Sequence, residues 1–279
     1  MYLKVMMRLG ISMLIIGSIA GSSYAGAWTA AKGSAYQRFS VNSYRAEKFF
    51  DRSGDRTDFE NNGEFRDTNL GYYLEYGVSD SLTVIGSGSY KWLEYEDDFI
   101  INKTDGFSDL ELGLKYRLFN VRGGVVSVQG LLKVPEAYDE DDAVPLGNAQ
   151  YDYEVRLLYG QSLYPVVPGY INLEAGYRIR AEAPVDEFRY LVECGFDFTQ
   201  SLYGRAKLDG IAGIDNSGDA STAANPAATF DYDLGKLDVT LGWKATPDWG
   251  VELGYRPDLY GKNISSGVNW SLSLIYMMR

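Results

Sequence analysis

The sequence predicts an all-β protein: a transmembrane, antiparallel, up-and-down β-barrel of about twelve strands, with both termini on the periplasmic side. Three observations predict it. Segment after segment alternates apolar and polar residues with a period of two, the period of a strand whose faces meet different media. The segments are joined by connections that alternate, for the most part, between short and long, as in barrels with tight turns at one end and loops at the other. The chain opens with an export leader, and no apolar run after it approaches the twenty residues that a membrane-spanning helix needs.

Lys4 and Arg8 form the basic head of the leader, and residues 9–20 its apolar stretch, too short to cross a bilayer as a helix. Ser23-Tyr24-Ala25 supplies small residues at positions −3 and −1 of a cleavage site; Ala25-Gly26-Ala27 is a second candidate. Residues 1–25 are therefore expected to be removed, leaving residues 26–279 as the barrel. Loss of two basic residues and no acidic one takes the formal charge from −12 to about −14. So acidic a chain is not expected to partner nucleic acid, which needs a positive face. The composition is rich in Tyr (23) and Gly (31), which suits strands better than helices.

The strands follow in order. The first, 35–44, is the least regular. In 68–76, Leu70, Tyr72, Leu74 and Tyr76 share a face opposite Asn69, Gly71, Tyr73 and Glu75. Segment 82–92 is a weaker version. The clearest is 109–118, with Leu110, Leu112, Leu114, Tyr116 and Leu118 on one face and Asp109, Glu111, Gly113, Lys115 and Arg117 on the other. Segment 125–134 is weak again. In 151–159, Tyr153, Val155, Leu157 and Tyr159 oppose Asp152, Glu154, Arg156 and Leu158; in 171–179, Leu173, Ala175 and Tyr177 oppose Asn172, Glu174, Gly176 and Arg178. In 188–198, Tyr190, Val192, Cys194 and Phe196 oppose Arg189, Leu191, Glu193, Gly195 and Asp197. Segments 202–212 and 236–244 are weaker, and 249–255 and 268–276 alternate cleanly. Short turns are expected at 78–81, 120–124, 164–168, 199–201 and 245–248. Longer connections are expected at 46–67, 93–108, 135–150, 213–230 and 258–266, with 181–185 as the short exception.

Energetic cost decides which face meets lipid. A Lys or Arg at mid-depth in hydrocarbon costs roughly 2–4 kcal/mol, so strands bearing several charges on one face must turn it inward. Tyr36, Tyr44, Tyr76, Tyr90, Trp92, Trp243, Trp249, Trp270 and Tyr276, near strand ends, are then expected in the interfacial girdles. A soluble β-sandwich alternates too, but with the apolar face inside. The alternating connection lengths in an exported chain favour the barrel. The closing residues Met278-Arg279 depart from the terminal aromatic usual in such barrels, although Trp270, Leu272, Leu274 and Tyr276 keep the alternation before them.

One pattern recurs on the polar face: Glu111-Leu112-Gly113-Leu114-Lys115, Glu174-Ala175-Gly176-Tyr177-Arg178 and Glu252-Leu253-Gly254-Tyr255-Arg256. Period two turns the acid, the glycine and the base to the same side, and the glycine leaves space for a neighbouring side chain to cross. The candidate lumen-lining or constriction residues are Glu111, Lys115, Arg117, Glu154, Arg156, Glu174, Arg178, Arg189, Glu193, Arg205, Glu252 and Arg256, with Arg180, Glu187, Lys207 and Asp209 beside them. Two readings remain open: an ion-pair network filling a narrow lumen, or a charged constriction that selects permeants. Strand spacing and tilt give a twelve-stranded barrel a backbone diameter of roughly 24 Å, room for small solutes only.

Catalysis is not expected. The chain has no histidine, the usual proton carrier at neutral pH, and no carboxylate pair stands out. A zinc site of usual type lacks both His and multiple Cys, and no metal or other cofactor is expected. Cys194, the only cysteine, falls on the apolar parity as a packing residue. The acidic clusters Asp139-Glu140-Asp141-Asp142 and Glu94, Glu96, Asp97 and Asp98 read as solvated loops; a divalent cation bridging to lipopolysaccharide is the rival.

Several stretches resemble a family of outer-membrane barrel transporters labelled "putative meta-pathway of phenol degradation". They are Gly106-Phe107-Ser108-Asp109-Leu110 running into Leu112-Gly113-Leu114-Lys115-Tyr116-Arg117, the Gly77-Val78-Ser79-Asp80 turn, residues 129–135, Glu174-Ala175-Gly176-Tyr177-Arg178 and Gly261-Lys262-Asn263. Gly26-Ala27-Trp28-Thr29 and Lys32-Gly33 are similar to the openings of related barrels encoded near surface-polysaccharide or adhesion genes. The resemblance covers most of the mature chain and rests on strand and turn patterns. It implies a bacterial outer-membrane channel for small molecules, aromatic compounds among them. Its partners would be outer-membrane lipid, lipopolysaccharide and the barrel-assembly machinery. The alternative is a closed barrel serving as a surface scaffold or a partner in polysaccharide export. A transporter of hydrophobic ligands would need a lateral opening or a plug, for which residues 26–34 look too few.

Overall fold

The computed structural model describes residues 26–135, 138, 142–181, 185–214 and 231–279. A single antiparallel sheet closes on itself. Its strands are β1 (Ala35–Phe50), β2 (Arg56–Asp58), β3 (Glu64–Ser79), β4 (Leu82–Glu96), β5 (Ile101–Phe107), β6 (Leu110–Val121), β7 (Gly124–Val134) and β8 (Asp152–Ser162), then β9 (Gly169–Arg180), β10 (Glu187–Asp197), β11 (Leu202–Gly213), β12 (Asp233–Lys244), β13 (Trp249–Lys262) and β14 (Ile264–Met278). Apart from β2 and β5, each strand pairs with the next, β1 with β3 and β4 with β6 among them, and β14 returns to β1 from Met278↔Ala35 to Ile264↔Phe50, so the wall has no free edge to aggregate. β2 is a three-residue addition beside β1. β5 and β6 form one interrupted strand: both pair with β4, and between Tyr90↔Phe107 and Ser87↔Glu111 one extra residue is taken up at Ser108-Asp109. The wall therefore has twelve strands, as the alternation predicts.

Burial is inside out. Leu112, Leu114, Tyr153, Val155, Leu157, Leu253 and Leu272 are exposed on the outer wall, while Glu75, Lys115, Glu154, Arg178, Glu193 and Glu252 are buried inside it. A sandwich would bury the first set and expose the second. This wall has to face hydrocarbon, because water gives no reason to spend so much apolar surface outside and so much charge inside. Leu114 is 55 % exposed at mid-strand. Leu114→Arg should destabilise the barrel in phospholipid vesicles by about 2–4 kcal/mol in a urea titration. No cost there would mean that this face meets water.

The short turns lie where expected, at residues 80–81, 122–123, 163–168, 198–201 and 245–248, at the same end as Ala35 and Met278. The other end departs from expectation in three places. Of the connection expected over 46–67, β1 takes residues 46–50, β2 lies within it and β3 already begins at Glu64. The connection expected over 93–108 is mostly strand: β4 runs on to Glu96 and turns through residues 97–100 into β5. The one expected over 258–266 shrinks to Asn263, which takes a left-handed φ of 52° between β13 and β14. Polar residues facing outward beyond the lipid band broke the alternation without breaking the ladder. Arg45, Glu64, Arg66, Glu94 and Lys103 form a surface ion-pair row across β1, β3, β4 and β5.

Outer aromatic pairs mark the girdles, among them Trp249 with Tyr276, Tyr255 with Trp270 and Tyr90 with Trp92. Tyr36 and Tyr44 are corrections to the expected girdle. Both are on the inward parity: Tyr36 is buried, and the Tyr44 hydroxyl donates to Asp258 Oδ2 at 2.8 Å. Their strand is the least regular, and aromatic identity alone cannot assign a face. Inside the mouth, Ala46, Phe59, Phe65 and Leu93 pack with Val144 and Leu146 of the connection between β7 and β8.

Candidate functional site

The candidate site is the lumen. Strand parity brings every candidate residue to the inner wall, and the barrel's curvature then sets acids opposite bases from distant strands. The densest layer centres on Glu154 of β8. Its Oε2 accepts from Arg178 Nε at 2.7 Å and lies 3.6 Å from Arg189 Nε, while Oε1 pairs with Arg156. Arg156 reaches on to Glu174 at 2.9 Å. Arg178 stretches from β9 to Glu111 on β6 at 2.7 Å, past the two strands between them. Glu187 accepts from Arg180 at 3.0 Å and Arg189 at 2.7 Å.

The recurrent motif is resolved by this layer. Its first two copies meet through Glu111 and Arg178, whereas the third lies elsewhere: Glu252 accepts from Tyr203 at 2.7 Å and from Arg205 at 3.2 Å. Arg205 also lies 3.7 Å from Glu193. The motif glycine serves the expected purpose at Gly176, where an added Cβ would sit 2.6 Å from Arg156 Cγ. Lys115 pairs not within its own motif but with Glu75 of β3, at 2.9 Å and with both side chains 1 % exposed. Arg117 and Arg256 are on the inner parity and half-buried, with no ion pair within 4 Å among the described residues. Lys207 pairs with Asp238 at 3.8 Å.

Toward the long-loop mouth the network opens into a vestibule of about 190 Å³, whose lining includes Lys91, Lys133, Arg178, Arg180 and Arg189 against Asp109, Asp152 and Glu187. Cations outnumber carboxylates there. Arg180 is 7 % exposed at its side chain, yet its Nε has no hydrogen-bond partner among the described residues. Tyr232 closes one side, and burial, reinforced by the Glu187 carboxylate, pushes its hydroxyl up to about 12, so it stays a neutral donor.

The other half of the lumen holds what sequence reasoning missed. Residues 26–34 do not lie outside the barrel. They fold back inside its short-turn end as a strap along the wall. Gly26 O accepts from Lys115 Nζ at 2.9 Å, Ala27 O from Ser127 Oγ at 2.6 Å, and Ala30 N donates to Thr83 Oγ1 at 2.8 Å. Gly33 N donates to Gly77 O at 2.8 Å and Gly77 N to Ser34 O at 3.0 Å. Trp28 stacks edge-on against Tyr170, with ring centroids 5.9 Å apart. Nine residues are few for a domain-like plug, but a strap needs only side-chain partners for its backbone, and the lumen provides them. The missed signal was Gly77: any Cβ there would overlap the Ala31 carbonyl oxygen.

With this geometry in hand, the fold can be set beside known ones. The chain superposes on an outer membrane channel from Pseudomonas putida F1 with a TM-score of 0.73, over 90 % of this chain and 98 % of that one, at 14 % sequence identity. The fold is that of an outer-membrane β-barrel. The NanC porin follows at a TM-score of 0.53, over 85 % and 98 % of the two chains, at 9 % identity. No family model and no curated protein matches the sequence.

Of the acidic clusters, Asp139, Glu140 and Asp141 lie outside the described residues. The second cluster is spent on structure: Glu94 pairs with Lys103 and Arg66, and Asp97 Oδ1 accepts from the backbone of Phe99 and Ile100.

Proposed function

We propose that this chain is a bacterial outer-membrane transporter for small molecules, with a preference for anionic solutes, aromatic carboxylates among them. The observation that carries the reading is the vestibule, where Lys91, Lys133, Arg178, Arg180 and Arg189 converge on a cavity of about 190 Å³ and the buried Arg180 Nε, 3.7 Å from Asp152, has no hydrogen-bond partner among the described residues. A carboxylate entering from the mouth would find donors already desolvated and held in place by Glu187 and Asp152. The likeness in fold to a solved outer-membrane channel supports transport. The aromatic permeant rests on the resemblance to the phenol-degradation family. In this reading the short turns and both termini face the periplasm, and the outer face meets lipid and lipopolysaccharide after delivery by the barrel-assembly machinery.

The test is single-channel recording in planar bilayers under a potassium chloride gradient. A small, steady conductance with a reversal potential favouring chloride is expected, and Arg180→Gln should weaken that preference. A second reading, a closed barrel acting as a scaffold in surface-polysaccharide export, draws on the lumen's dense ion pairing and its strap. A correctly folded barrel that passes no current would favour it.

A further inference from the structure

We propose that the chain is cut between Ala25 and Gly26, and that the ammonium group so created is a structural cation of the lumen, held at Asn172. The cut is a hydrolysis by a protease of the export pathway. Water adds across the amide, Ala25 leaves as a carboxylate, and the Gly26 nitrogen takes up protons to become an ammonium.

Two sets of contacts lead there. The first separates the two cleavage sites that the sequence leaves open. A cut after Ala27 would discard Gly26 and Ala27, the residues whose carbonyls accept from Lys115 Nζ and Ser127 Oγ. Lys115 and Ser127 are 1 % and 0 % exposed; such a cut would leave Lys115 with Glu75 alone of its two hydrogen-bond partners and would take the acceptor of the buried Ser127 hydroxyl. A cut after Ala25 keeps both.

The second set concerns the nitrogen itself. Gly26 lies so close to Asn172 that an added Cβ would stand 2.7 Å from its Oδ1 and closer still to its Nδ2. Only glycine fits there. Asn172 is 1 % exposed; its Nδ2 donates to Glu193 Oε1 at 3.2 Å, but its Oδ1 has no hydrogen-bond partner among the described residues. A peptide nitrogen offers one donor, whereas an ammonium offers three and can rotate to serve the Asn172 oxygen. Charge agrees with this. Glu193 stands directly behind Asn172 and shares Arg205, at 3.7 Å, with Glu252, at 3.2 Å, while Lys115 of β6, the cation that donates to the Gly26 carbonyl, is offset by Glu75 at 2.9 Å. The strap is thereby fastened at its free end by a charge that exists only after processing.

The experiment uses the barrel purified from outer membranes. Intact mass and N-terminal sequencing should give Gly26 as the first residue. Trp28 first, or a retained leader, overturns the proposal. The α-amine is then acylated with an N-hydroxysuccinimide ester at neutral pH, and its modification is read by mass on the peptide of residues 26–32. Labelling should be at least tenfold slower in the folded barrel than after unfolding. Equal rates overturn the proposal even if Gly26 is first. Asn172→Leu should bring the folded rate up toward the unfolded one. If that variant does not fold, as judged by heat-dependent gel mobility, Ser127→Ala loosens the adjoining carbonyl and should do the same. Unchanged protection in the folded variant overturns the role given to Asn172. None of these readouts depends on whether the barrel conducts.

Discussion

Removing residues 26–32, with the leader joined directly to Gly33, should raise single-channel conductance roughly threefold or more in planar bilayers. The strap lies in the short-turn half of the lumen. Ala27 and Ala30 are fully buried, Trp28 packs against Leu158 and Val125, and Gly160 is close enough that a Cβ there would meet the Trp28 ring at 2.7 Å. The deletion strips partners from Lys115, Ser127 and Thr83, and water should take the place of the strap. Gly77→Val makes the complementary change with the strap still present, since its side chain would occupy the position of the Ala31 carbonyl. Noisy, larger currents are expected from it. If both variants fold and conduct no more than the parent, the narrowest point lies instead at the layer of Glu154, Arg156 and Arg178.

That layer carries the second large effect. Glu154→Leu should cost about 3–5 kcal/mol in urea unfolding of the refolded barrel, because Arg156 and Arg178 would lose a buried counter-charge and Arg189 a nearby one. Glu154→Gln should cost less, since its amide oxygen can still accept from Arg178. Glu96→Gln is the control. Its carboxylate lies 3.7 Å from Arg66, and both side chains are close to half exposed, so the pair is worth about 0–1 kcal/mol and its loss should be hard to detect. A Glu154→Leu barrel as stable as the parent would mean that the luminal charges are solvated in the membrane, which in turn would argue for a wide, wet pore.

The resolved motif shows why pairing is harder to read than facing. Glu111, Gly113 and Lys115 are two residues apart, and strand geometry puts them on one face whatever else happens. Which acid meets which base depends on strands far apart in sequence. Glu111 finds Arg178 sixty-seven positions away, and Lys115 finds Glu75 forty positions back. The three copies of the motif look alike in sequence, yet two join and the third turns to Tyr203 and Arg205.

Several features were determined by the sequence alone. Period two, charge on one face and alternating connections establish the barrel, its strand number and the inward face of all twelve candidate residues, because each is a local consequence of strand geometry and of the cost of charge in lipid. Only the tertiary structure decided the rest: the extension of β4 and β5 beyond the lipid band, the inward turn of Tyr36 and Tyr44, the cross-lumen partners of the charged residues, and the return of residues 26–34 into the barrel. The physical reason is common to them. Alternation records only the medium that a side chain faces, and it falls silent where both faces are polar. Inside a closed lumen every side is polar, so position there is settled by hydrogen-bond and charge matching across space.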